Sequence, residues 1–238
     1  MVAKQLFDEG KLEEAEKALA AHLRDRPNDD AARRFLFELL CFTGQLDRAE
    51  KHLAVLADRS ADARLGGLLY VAAIAAARTR DDMFRAGSFP STPAAGSGPG
   101  LLNGQPFQSL RDADPAIGPR LEIFGAGDYF WIPLEHVRSI QMERPKLLRD
   151  LLWRPAKLLM AASFKGQDFG EVLIPVVYPF SYKNGDPALT LGRATEWVAD
   201  DDGAEFPVGQ KLLVADGQEI PFLEVESIEF PSHEERSE

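Results

Sequence analysis

The stretch GKLEEAEKAL at Gly10–Leu19 returns as GQLDRAEKHL at Gly44–Leu53. At this offset of 34 residues, Gly10, Leu12, Ala15, Glu16, Lys17 and Leu19 fall on Gly44, Leu46, Ala49, Glu50, Lys51 and Leu53. Each identity has a physical use. A glycine allows the open turn between two helices. A small alanine lets paired helix axes come close, and a leucine one turn later fills the gap that remains. The apolar spacing around these strings is helical. It gives helices over 2–9, 12–25, 30–43, 46–58 and 62–80, with a short sixth expected to reach Arg85. Asp29 has the chemistry of an N-cap for the third.

A period of 34 residues is that of the tetratricopeptide repeat, and both strings resemble the second helix of that unit. Pro27 stands where the family ends a helix; Ala61 replaces it in the second copy. In such repeats the first helix of each pair lines a concave face. The register puts Phe7, Arg34, Glu38, Cys41, Phe42, Leu68, Ala72, Ala75 and Ala76 on that face. The expected result is an apolar trough with a few charges on its rim, suited to a partner's amphipathic helix. Phe42→Glu is expected to weaken capture by placing a charge in that contact.

The period then changes. Residues 87–106, GSFPSTPAAGSGPGLLNGQP, have the Gly/Pro/Ser composition of a linker and set a boundary between 1–86 and 107–238. Beyond it come short runs rich in β-branched and aromatic residues, separated by turn residues. Leu121–Phe124 and Tyr129–Ile132 flank GAGD, a hairpin signal. Further strands are expected over 137–142, 157–164, 172–178, 195–199, 211–215 and 222–230, with PKLLRDLLW at 145–153 as a short helix or turn. DDDG at 200–203 and DGQE at 216–219 are turns. Short joints imply antiparallel pairing. The fold class is therefore α+β: a repeat-like helical domain, then a mainly antiparallel β domain with short helices.

Composition narrows the function. The net charge is −11, and residues 1–86 carry only −1 of it. With no basic run, the chain lacks what neutralises phosphate, so nucleic acid is excluded as a partner. A single cysteine, Cys41, rules out an internal disulfide and fits a reducing, cytoplasmic setting. The N-terminus has no apolar signal region, and the apolar stretch Leu65–Ala77 is too short to span a bilayer. The histidines His22, His52, His136 and His233 share no metal-ligand spacing, and phosphate-cradling and nucleophile-elbow motifs are absent, so no catalytic residue, metal or cofactor is expected. The alternative is an enzyme using Asp114, Tyr129, Trp131, Arg149, Asp150 and Trp153, acids and aromatics grouped in the β half. A third reading is self-association or docking of the acidic half on a basic partner.

Four strings occur in one order: DADPAIGPRLEIFGAGDYFWIPLEHVRSIQMERPKLLRDLLWRPA (112–156), VLIPVVYP (172–179), LTLGRATEW (189–197) and GQKLLVADGQEIPFLEVESIEF (209–230). Together they closely resemble the ImpE family, also called TagJ, accessory proteins of bacterial type VI secretion. LRDLLW-x-PA and LGR-x-T-x-W are the most specific. Ala116 and Ile117 depart from the Arg-Leu pair usual in the first string. The resemblance implies a non-enzymatic adaptor that binds the N-terminal helix of the small sheath subunit (TssB-like) and helps couple the sheath to its disassembly.

Overall fold

The computed structural model describes residues 2–91, 94–162, 164–166, 168–200 and 202–231; His233 and Asp201 lie outside them. Five helices come first: α1 Val2–Asp8, α2 Leu12–Asp25, α3 Asp30–Phe42, α4 Leu46–Ala57 and α5 Ala61–Ala86. Asp29 caps α3 by accepting from the Ala32 amide, and Ser60 caps α5 through Ala63. Ala15, Leu19, Ala49 and Leu53 are all buried, as the repeat requires. The expected sixth helix is absorbed: α5 runs unbroken for 26 residues and stops at Gly87, which adopts φ 60°.

Among the described residues thirteen strands follow: β1 Gly100–Leu102, β2 Gln105–Phe107, β3 Leu110–Asp112, β4 Arg120–Gly125, β5 Asp128–Pro133, β6 Val137–Met142, β7 Trp153–Met160, β8 Gly170–Pro175, β9 Thr195–Ala199, β10 Glu205–Gly209, β11 Leu212–Ala215, β12 Gln218–Pro221 and β13 Ser227–Glu229. A one-turn helix, α6 Pro187–Thr190, sits between β8 and β9. The main sheet has the order β2-β1-β13-β6-β7-β8-β4-β5, beside a sheet β12-β11-β3 and the hairpin β9–β10. Every pairing among these strands is antiparallel. The GAGD hairpin closes as expected, with Gly125 opposite Asp128 and Ala126 and Gly127 both at positive φ.

Two expectations change. The stretch 87–106 is not linker throughout, because Asn103 and Gly104 take positive φ and turn β1 back into β2. Its glycine and proline content is partly hairpin chemistry, and β1 completes the main sheet through β13. The β half keeps a core of its own around Ile123, Ile140, Ile174 and Phe222, but the two halves are not independent of each other. The helical core continues without a break into Phe124, Trp153, Leu173, Val177 and Leu191 of the β half. Even the turn glycines take part: a Cβ on Gly44 would lie 2.6 Å from the Tyr182 ring, and one on Gly10 would lie 3.3 Å from Pro187.

Candidate partner-binding face

The trough anticipated between the repeats is largely filled by the chain's own β half. Glu38 is buried and paired to Arg149 at 2.7 Å. The same guanidinium donates to the Tyr70 hydroxyl at 2.7 Å and lies 4.7 Å above its ring. Tyr70 in turn stacks on Trp153. Burial pushes the Glu38 carboxyl above its ordinary value, and Arg149 pulls it part of the way back. Cys41 and Phe42 line a small cavity of about 60 Å³ together with Phe124, Trp153 and Val177, and burial drives the Cys41 thiol well above its usual range. Phe7 is covered by Phe35 and by the Arg193 guanidinium. Ala76 is buried as well. The inference of an open trough is corrected accordingly for Phe7, Glu38, Cys41, Phe42 and Ala76. The repeat register put them on the inner face, but it could not say what would lie against that face.

The two most specific strings supply the contacts that close it. In LRDLLW-x-PA, Arg149 and Trp153 reach the repeats, while Asp150 accepts from the Lys146 and Leu147 amides to hold the turn. In LGR-x-T-x-W, Leu191 enters the helical core, Arg193 covers Phe7, and the Thr195 hydroxyl donates to the Gln210 carbonyl.

A buried charge network lies deeper, and sequence reasoning missed it. Arg80 on α5 forms a two-pronged pair with Glu122 on β4 (2.7 and 2.9 Å) and donates to the Val177 carbonyl. Lys211 bonds to Glu122 and, at 2.6 Å, to Asp112, which also accepts from the Tyr178 hydroxyl. Burial alone would raise the Glu122 carboxyl, but Arg80 and Lys211 outweigh it and hold the group down to about 2. Asp114 is pushed up to about 6 by burial, with the neighbouring Asp112 charge adding to the rise. The available signal was a charge inside an apolar strand: Glu122 in LEIF and Lys211 before LLVA must find partners if buried.

The six residues of the enzyme alternative do not converge. Tyr129 and Trp131 share a face of β5 and bond to each other, with Tyr129 donating to Glu122. Arg149 and Trp153 belong to the trough contact. Asp150 holds its own turn, and Asp114 accepts from the Ala116 amide at the lip of a different cleft. Among the described residues no cluster of His, Cys, Asp and Glu could hold a metal.

The outer side of α5 is what stays open. Leu65 is 72% exposed and Leu68 60%, with Leu69, Val71 and Ala75 also exposed and Ala72 half-buried. Arg34 on α3 is exposed too. Leu69 stands on the lip of a cleft of about 620 Å³, with Leu147 on another part of its wall and Pro155 and Leu173 also lining it.

Paired repeat helices whose inner face is sealed by a mainly antiparallel β half define a tetratricopeptide-fronted α+β protein. The tetratricopeptide repeat family matches residues 6–69, and the ImpE protein family matches residues 104–229. The chain belongs to the ImpE family. It is 33% identical to the type VI secretion system accessory component TagJ of Pseudomonas aeruginosa strain PAO1, over 97% of this chain and 91% of that protein. The crystal structure of protein VPA1032 from Vibrio parahaemolyticus has the same fold. It superposes with a TM-score of 0.83 over 98% of each chain at 21% identity.

Proposed function

We propose that this chain is a non-enzymatic, cytoplasmic adaptor of a bacterial type VI secretion system, one that binds the N-terminal helix of the small sheath subunit and assists sheath assembly or disassembly. The observation that carries the reading is similarity along nearly the whole chain to a protein named as an accessory component of that system. Two features support it. Arg149, Trp153, Leu191 and Arg193 of the most specific strings are spent on joining the halves. A row of leucines on a repeat helix is left in water, which suits a protein partner. No helix among the described residues is long and apolar enough to cross a membrane.

The test is co-purification of the full chain with the small sheath subunit, intact or lacking its N-terminal helix. Capture of the intact subunit alone is expected. Equal capture of both forms, or of neither, overturns the reading.

A further inference from the structure

The repeat stack stops at α5 without a cap. End units of stacked repeats ordinarily turn a polar face to water. The outward face of α5 instead carries Leu65, Leu68, Val71, Ala72 and Ala75. Val71 and Ala75 stand one 34-residue period after Phe37 and Cys41, both of which are buried. No later helix among the described residues covers them, because the chain turns at Gly87 and enters the β half.

The spacing on this face says what would fit it. Leu65, Leu68, Ala72, Ala75 and Thr79 alternate by three and four residues, the seam along which two helices interlock side chains. The seam extends for about 21 Å at the helical rise per residue. An extended strand, with its period of two, has no matching row. Leu65 and Leu68 project, whereas Ala72 and Ala75 leave room for large side chains from the other side. Arg64, exposed on one flank, favours an acid opposite it. On the other flank Leu69 opens onto the cleft shared with Leu147.

We propose that a partner's amphipathic helix docks along α5 as the next helix of the stack. It sets large aliphatic side chains, spaced by three and four, against Ala72 and Ala75, and an acid against Arg64. This names the surface for the adaptor reading above and rests on it for the identity of the helix.

Two probes separate the surface from the identity: the intact small sheath subunit, and a synthetic three-heptad helix with leucine along its seam and glutamate on its flanks. Both are titrated into full-length wild type, Leu68→Glu, Ala72→Trp and, as control, Leu101→Glu on exposed β1. Both probes are expected to bind wild type and the control equally, and to lose at least tenfold in affinity with each α5 variant. Unchanged binding to the α5 variants overturns the surface, and so does failure of both probes to bind wild type. If only the synthetic helix binds, and Leu68→Glu abolishes it, the sheath identity falls and the surface stands. A wild-type dimer that Leu68→Glu converts to monomer, with helix capture intact, assigns the seam to a second copy and overturns the proposal.

Discussion

Two pairs of inner-face positions on α3 and α5, one period apart, meet opposite fates. Glu38 and Cys41 are buried against the β half, while their counterparts, half-buried Ala72 and exposed Ala75, face outward with Leu68 beside them; Phe42 and its counterpart Ala76 are both buried. The same register on both helices yields a core in one place and a free surface in the other. Periodicity decides which way a side chain points; whether anything lies there is decided by residues more than a hundred positions away. The sharpest way to break this comparison is Phe42→Glu. If Phe42 lines an open trough, the charge costs little stability and harms only binding. Phe42 is 3% exposed, so the expected cost is about 4 kcal/mol or more, read by urea unfolding, with binding lost only because the fold is.

Arg149→Ala asks what holds the trough shut. It leaves Glu38 buried without its partner and removes the cap over Tyr70, at a cost of about 3 kcal/mol. Cys41 is the chain's sole cysteine and lines the closed region, so thiol labelling under native conditions reports opening directly. Labelling at least tenfold faster than wild type is expected. An unchanged rate would mean that apolar packing around Trp153 closes the trough without the ion pair.

The α+β division, the helix starts and the main hairpin were legible because each depends on local chemistry: a repeated Gly, Ala and Leu, an Asp cap, a two-residue turn. Three features were not. The hairpin β1–β2 was hidden by a composition that linkers and tight turns share. The filling of the trough was hidden because Arg149, Trp153 and Arg193 are ordinary surface residues until the β half folds back. The network of Arg80, Glu122, Lys211 and Asp112 brings together four separate segments, and only the misfit of Glu122 and Lys211 with their apolar neighbours pointed to it. Of the expected inner-face residues, Arg34, Leu68 and Ala75 remain exposed.

The β half should also carry a pH dependence that the exposed face of α5 lacks. Asp114 has a folded-state value of about 6 against 3.8 for the free group, so folding favours its protonated form. Its contribution is therefore fully present below about pH 3.8 and is lost as pH rises through about 6. The rise corresponds to stability of order 3 kcal/mol. Asp114→Asn keeps an oxygen to accept from the Ala116 amide but cannot ionise. It is expected to unfold at higher urea than wild type at pH 8 and at nearly the same urea at pH 4. Parallel pH profiles for the two proteins would mean that the carboxyl titrates as it does in water.

Leu68→Glu should have the smallest effect on stability, and it sharpens the comparison most finely. The side chain is more than half exposed, so little apolar burial is lost, and glutamate is a good helix former. A change below about 0.5 kcal/mol in urea unfolding is expected, against several for Phe42→Glu on the preceding inner helix. Because the fold is retained, any loss of partner binding by this variant reports on the surface itself, which Phe42→Glu cannot do. A cost above about 2 kcal/mol would mean that Leu68 is already covered in solution, and that the two helices differ in their occupant rather than in being closed or open.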